Sequence, residues 1–309
     1  MKYPAGLHSN REAGLTVNNT FAEVLAHCGW YYFELGETDS ALRVLHAAEK
    51  LCEKGTQTSG LVYNNLGAVY MLRREEETAL AHTSRAIADR EKSIPRDDPE
   101  IQQLAITYKN YANDLQLKRG GFDKAMCAEF YNKALEICEN QPGATPHTRQ
   151  HILCNTAFAN YRWGDLEKAH HYIERAIALH AECGEYTTYM LYALYYYGNI
   201  QWARGKRQAG YNIHVECLQR REKLQTKTHY TTGVSFHKAG RLAYELQQPE
   251  QAIEYLTEAE ATFRDYHDDP GLEKKMIQDG LKKVEEIKMP VKNIYNNDEL
   301  DALVREVYR

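Results

Sequence analysis

The chain lacks most of what would mark it as an enzyme, a membrane protein or a nucleic-acid binder. No stretch of about eighteen consecutive apolar residues occurs, so a membrane-spanning helix is not expected. There is no GxGxxG, no GxxxxGK[ST], no HExxH and no GxSxG. The common phosphate cradles, zinc sites and nucleophile elbows are therefore absent, and the reading leans against catalysis. Basic excess is also missing. Lys and Arg number 38 against 43 Asp and Glu, giving a net charge of −5, and they are scattered rather than striped, which argues against a nucleic-acid footprint. None of the seven cysteines forms a Cys-x-x-Cys pair, so they read as reduced, mostly buried small apolar residues. The opening MKYPAGLHSNREAGL has no apolar core of the kind a secretory signal needs, and a cytoplasmic setting is expected. Phenylalanine is scarce at 7, whereas tyrosine reaches 23. That imbalance favours surfaces that present a large ring with a polar tip.

What is present is a repeat. Residues 155–179 (NTAFANYRWGDLEKAHHYIERAIAL) read as two amphipathic helices joined by a turn at Trp163-Gly164-Asp165. Small residues fall where the two helices must touch: Ala157 on the first, Ala169 and Ala176 on the second. The same pattern recurs with its first small residue at Gly29, Gly67, Ala112, Ala157, Gly198 and Gly240, spaced 38, 45, 45, 41 and 42 residues apart. A second small residue follows twelve positions later at Ala41, Ala79, Ala169, Gly210 and Ala252. In the third copy Gly120-Gly121 lengthens the turn and Cys127 takes that place. A third small position seven further on is held by Ala48, Ala86, Ala134, Ala176, Cys217 and Ala259. One such helix pair cannot bury its apolar face alone, so the copies must stack.

Small residue, aromatic three positions on (Tyr32, Tyr70), glycine at the turn (Gly36, Gly164, Gly205), then alanine, large apolar and alanine: this resembles the tetratricopeptide repeat. The resemblance covers roughly residues 20–265. The long period is similar to the repeats of kinesin light chains and of fungal NLR-like (STAND) proteins. It implies an all-α, right-handed superhelical solenoid of about six helix-turn-helix repeats in one elongated domain over residues 20–288. A polar capping helix (271–288) closes that domain. Residues 1–19 are expected to form a flexible arm, and 289–309 a tail whose Leu300, Leu303, Val304 and Val307 share one helical face. Cap-proline pairs at Asp98-Pro99, Thr145-Pro146 and Asp269-Pro270 should open helices.

In that family the first helices line the inner groove, at positions three before, two before, one after and four after the first small residue. The resemblance therefore nominates Asn65, Lys109, Asn110, Asn113, Asn155, Phe158, Tyr161, Tyr196, Asn199, Trp202, His237, Lys238 and Arg241 as groove residues, and helical periodicity adds Tyr192. Asn65, Asn110 and Asn155 hold one register position in three consecutive copies. An amide offers both a donor and an acceptor to an extended peptide, although it can also satisfy a neighbouring helix. Lys109, Asn113 and Asn155 match three positions of the carboxylate clamp of chaperone-binding repeats; Tyr192 and Tyr196 stand where its further basic residues would be. The expected role is a protein- or peptide-binding scaffold, the recognition module of a receptor-like protein, taking an acidic or aromatic-bearing partner, with no cofactor, nucleic acid or membrane. The alternative is an enzyme or small-ligand sensor using the Tyr-rich region of copies four to six. His170, His171 and Glu174 with His180 and Cys183 suggest metal ligands, but two ligands without a third and fourth do not hold zinc, so no metal is expected.

Overall fold

The computed structural model describes residues 6–34, 36–118, 121–141, 143–179, 182, 188–224 and 230–266. Among them are twelve long helices and no strand. In chain order they are α1 (Gly6–Glu34), α2 (Thr38–Leu51), α3 (Gln57–Leu72), α4 (Glu76–Ser93), α5 (Ile101–Leu117), α6 (Lys124–Asn140), α7 (Pro146–Arg162), α8 (Leu166–Ala178), α9 (Thr188–Ala203), α10 (Arg207–Leu224), α11 (Tyr230–Glu245) and α12 (Pro249–Tyr266). The chain divides into two compact units, residues 1–155 and 156–309, with the boundary inside α7, where the sequence suggested one elongated domain. In the first unit α1 packs on α2 and α3, α3 on α4, α4 on α5, and α5 on α6. In the second, α8 packs on α9, α9 on α10, α10 on α11, and α11 on α12. Consecutive helices thus pair as hairpins, and hairpins stack on their sequence neighbours.

The second helix of each pair shows why. Small, large and small side chains at i, i+4 and i+7 fall on one face of a 3.6-residue helix. Ala41, Ala48, Ala79, Ala86, Ala169, Ala176, Ala252 and Ala259 have no exposed surface. In the four copies whose first helix carries glycine, the residue between the two small ones lies over that glycine. A Cβ added at Gly29 would come 2.5 Å from Leu45, at Gly67 2.2 Å from Thr83, at Gly198 2.7 Å from His214, and at Gly240 2.8 Å from Leu256. Glycine at those sites is therefore a packing requirement. Each fully buried Leu or Ile in the stripe stabilises the stack by about 1.5–3 kcal/mol.

The turns inside the hairpins share one geometry. Gly36, Gly164 and Gly205 lie in the left-handed region, with φ of 78°, 78° and 81°. Their N–H groups bond back three residues and the following N–H bonds back five, as in Gly164 to Tyr161 at 3.0 Å and Asp165 to Asn160 at 2.9 Å. This double bond set closes a helix on its own last carbonyls. Arg74 and Gln247 occupy the same place in the second and sixth copies, with φ of 66° and 60°. In the third copy Gly121 turns the longer loop (φ 108°), and Asp123 accepts from the N–H groups of Ala125 (2.8 Å) and Met126 (3.1 Å) to cap α6.

Two boundaries differ from expectation. Helix α1 begins at Gly6, so most of the residues read as an arm are helical. Pro99 does not open α5: Asp98 accepts from the Glu100 N–H at 2.8 Å within a turn, and the helix starts at Ile101. Thr145 does cap α7, accepting from Thr148 N–H at 3.2 Å with Pro146 first in the helix. Residues 267–309, holding the Asp269-Pro270 pair, the expected capping helix and the tail, lie outside the described residues.

Candidate partner-binding face

In the first unit the nominated amides are tied to one another. Asn65 donates to the Ala26 carbonyl of α1 (3.1 Å) and accepts from Asn64 (3.3 Å), and Asn64 in turn accepts from Asn110 of α5 (2.9 Å). Asn155 donates to the His151 carbonyl of its own helix (2.9 Å) and accepts from Asn113 (3.1 Å). Gln116 donates to the Tyr131 hydroxyl (2.6 Å), which donates to Asn113. The asparagine register is therefore first a set of internal ties between successive first helices. Asn65 thus bonds a main-chain carbonyl of a neighbouring helix, whereas Asn155 bonds one of its own. Lys109 is 5% and Asn65 3% exposed, so neither offers much surface. Burial pulls the Lys109 ammonium down to about 8, with Asp114 opposing.

In the second unit the nominated residues gather. Phe158 of α7 stacks on Tyr196 of α9, with ring centres 4.6 Å apart and planes 20° from parallel. Tyr161 lies 6.3 Å from Phe158 and Tyr192 6.5 Å from Tyr196, so four rings from two first helices form one aromatic wall. Tyr195, almost wholly buried, meets His214 of α10 edge to face at 5.0 Å. Arg221, also buried, lies 5.8 Å from the Tyr192 ring and 5.6 Å from Tyr195, and donates to the Thr231 carbonyl. On α11, Arg241 forms an ion pair with Glu245 at 3.2 Å, one turn along the helix. Lys238, one turn before it, is largely covered. Asn199 is 8% exposed, and its Oδ1 has no hydrogen-bond partner. Trp202 is half-buried and packs against the Tyr211 and Leu242 cluster.

Two histidines of this cluster are shifted by burial and by their neighbours. Burial, then Arg241 and Lys238, hold His237 down to about 4. Burial, then Lys238, Arg221 and Arg241, push His214 well below the usual histidine range. Both rings are neutral at pH 7. Burial lowers Arg241, and Glu245 opposes that shift. Both the Tyr161 and Tyr195 hydroxyls lie close enough to Arg241 to feel its charge.

His214, Arg221 and Glu245 were not among the nominated residues, and Tyr195, three before Gly198 and so on a groove position by register, is 2% exposed. One signal for His214 was in the repeat: the large position of the second-helix stripe is apolar in Leu45, Ile173 and Leu256 but polar in Thr83, Tyr131 and His214. Each polar exception marks a polar cluster beneath a first helix. His170, read with His171 and Glu174 as a possible metal ligand, has other contacts. Its ring contacts Gln201 (2.9 Å) and Glu174 (3.2 Å), and the described residues hold no group of three or more metal-ligating side chains. His180 and Cys183 lie outside the described residues. Among the described residues no helix is long and apolar enough to cross a membrane.

Stacked helix hairpins with small-large-small second helices and left-handed turns define a tetratricopeptide-type, all-α repeat fold. No protein-family model and no curated protein matches the sequence. Solved structures do match in fold. BtubC (BKLC) from P. vanneervenii aligns with a TM-score of 0.58 at 18% identity, over 72% of this chain and 96% of that one. A STAND protein with a tetratricopeptide repeat sensor from Pyrococcus horikoshii aligns at 0.64 and 14% identity, over 86% of this chain and 39% of that one. Cut9, in the Cut9–Hcn1 assembly of the APC/C, aligns at 0.61 and 13% identity, over 89% of this chain and 46% of that one.

Proposed function

We propose that the chain is a protein- or peptide-binding scaffold whose partner lies along the first helices of residues 156–266. The observation that carries this reading is the aromatic wall of Phe158, Tyr161, Tyr192 and Tyr196 set beside the cations of α11. Rings held half-buried by stacking lose few rotamers on binding, and Tyr and Arg are the residues that most often dominate interface energy. The likeness to Cut9, solved with Hcn1, supports a fold that takes protein partners. In the first unit Asn110 and Asn113 are half-buried. There the amides hold the helices in register rather than grip a partner directly.

The test is capture of partners from a lysate of the source organism by the intact chain and by a Phe158→Ala/Tyr196→Ala variant, with bound proteins compared by mass spectrometry. The variant should lose the specific set while its melting temperature falls by no more than a few degrees. An unchanged set would remove the aromatic wall from the binding surface. Asn155→Ala should instead lower stability by about 1 kcal/mol, because it strands the Asn113 amide, and should leave capture intact.

A further inference from the structure

Buried cations can be compared by where their donors go. Arg90 donates to the Gln103 carbonyl (2.6 Å) and to Thr107, Arg221 donates to the Thr231 carbonyl, and Arg241 pairs with Glu245 at 3.2 Å. Lys109 of α5 differs. It is 5% exposed, and among the described residues its amine makes no hydrogen bond and meets no carboxylate at ion-pair distance. Lysine is almost never fully buried unless it is paired. Exposed lysines of this chain do pair: Lys133 reaches Glu129 at 2.7 Å, and Lys168 reaches Asp165 at 3.1 Å.

The surroundings show how the amine is tolerated. Asp114, five residues on, is the acid whose charge reaches Lys109. That carboxyl is itself buried, accepts from Thr83 of α4 at 3.0 Å, and is pushed up to about 7 by burial, so its charge is only partly present at neutral pH. His151 of α7 is held neutral by its own burial and then by the Lys109 charge. Burial thus pulls the Lys109 amine down to about 8, with Asp114 opposing. At pH 7.5 such an amine is uncharged in roughly a quarter of molecules, against about one in a thousand for an ordinary lysine. A desolvated neutral lysine is a nucleophile toward carbonyl carbon.

We infer that Lys109 is a covalent capture site for a small aldehyde. The Nζ lone pair attacks the carbonyl carbon while the oxygen takes a proton, which gives a carbinolamine. The hydroxyl then leaves as water with the second amine proton, and a C=N bond replaces C=O. One amine and one aldehyde give one imine and one water, so the step needs no oxidant or reductant. An imine is a weaker base than the amine it replaces, and its formation removes an unpaired buried cation. The small exposure of Lys109 restricts the ligand to a few heavy atoms. The site uses α5 and does not depend on the partner-binding reading.

Acetaldehyde with sodium cyanoborohydride, which fixes each imine as a stable secondary amine, is the probe. The intact chain is treated with limiting aldehyde, and the alkylated lysines are mapped by peptide mass spectrometry. At pH 7.5 Lys109 should react about tenfold or more faster than Lys168, whose side chain is 67% exposed. By pH 10 that advantage should shrink about tenfold or more, because ordinary lysines then lose their protons as well. Labelling of Lys109 no faster than Lys168 at pH 7.5, an advantage unchanged at pH 10, or no labelling of Lys109 at either pH would overturn the inference. Lys109→Met keeps the volume and gives up no bond, so it should melt no lower than the parent chain and should lack the fast-labelled site. A markedly lower melting temperature would show that the amine has a structural partner, and would also overturn the inference.

Discussion

Six hairpin turns place a residue at positive φ, and two of them do so without glycine. Arg74 and Gln247 adopt φ of 66° and 60° with a Cβ attached, which costs roughly 1–2 kcal/mol relative to ordinary helical backbone. Gln247 is exposed and its N–H makes the same bond to the Tyr244 carbonyl (2.9 Å) that glycine makes in other copies. Gln247→Gly should therefore stabilise the second unit by about 0.5–1 kcal/mol after the greater entropy of unfolded glycine is subtracted, read as a higher urea midpoint. A lower midpoint would mean the side chain makes a contact that outweighs the strain. A second case concerns a buried acid. Asp114, which accepts from Thr83 at 3.0 Å, is pushed up to about 7, chiefly by burial, against the Thr83 bond and the Lys109 charge. The native state therefore keeps this proton to higher pH than the unfolded chain does. Its contribution is complete below about pH 4 and is lost as pH rises through 7, at up to about 1.4 kcal/mol per pH unit. Lys109, held down to about 8, titrates above that window. Asp114→Asn removes the ionisation, so its stability relative to the parent chain should rise by about 1–3 kcal/mol between pH 5 and pH 7.5. Parallel urea curves at the two pH values would show that Asp114 ionises freely in the folded chain.

Pairs of helices were the most legible feature of the sequence, because their contacts are written in residue size at fixed spacing. Ala41 and Ala48, or Ala169 and Ala176, state both the helix face and the closeness of the partner. Register nominated Phe158 and Tyr196 for one face, but not the stacking of their rings. What the sequence did not disclose is how side chains from successive hairpins meet. Asn65 could not be known to bond the Ala26 carbonyl, because that depends on the distance between α1 and α3 rather than on either helix alone. Arg90 and Arg221 lie at the same offset, twenty-three residues after Gly67 and Gly198, and each sends its guanidinium into the next hairpin. Charge alone gives no sign of this placement. Each is nearly unexposed, and burial lowers Arg90 to about 10. Removing such a group leaves a void and strands the acceptors it served. Arg90→Ala should cost about 3 kcal/mol, and Arg90→Lys should restore less than half, since an ammonium cannot reach the Gln103 carbonyl and Thr107 with the same fork. Equal recovery by lysine, measured by urea unfolding, would reduce Arg90 to a filler of space.

Stacked repeats contact their sequence neighbours, so stability in such a chain is a sum of local terms and adjacent interfaces rather than one shared core. The division into residues 1–155 and 156–309 gives that idea a place to act. Gly210 is the site where damage would be most local and least reparable. A Cβ there would come 2.9 Å from both the Gly198 carbonyl oxygen and the Trp202 nitrogen. Both are main-chain atoms, so the conflict is relieved only if α9 and α10 move apart. Gly210→Ala should cost about 2–3 kcal/mol, even though alanine is the better helix former by about 1 kcal/mol. Hydrogen exchange read by mass spectrometry then separates two behaviours. If the units are energetically distinct, protection falls across α9 to α12 while the amides of α3, α4 and α5 exchange as in the parent chain. If the whole array unfolds as one cooperative body, protection falls by the same factor in both units, because every amide then samples the same opening. We expect the first pattern. The aromatic and cationic face on α9 and α11 would then belong to a unit that can loosen and re-form around a partner while the first unit stays folded.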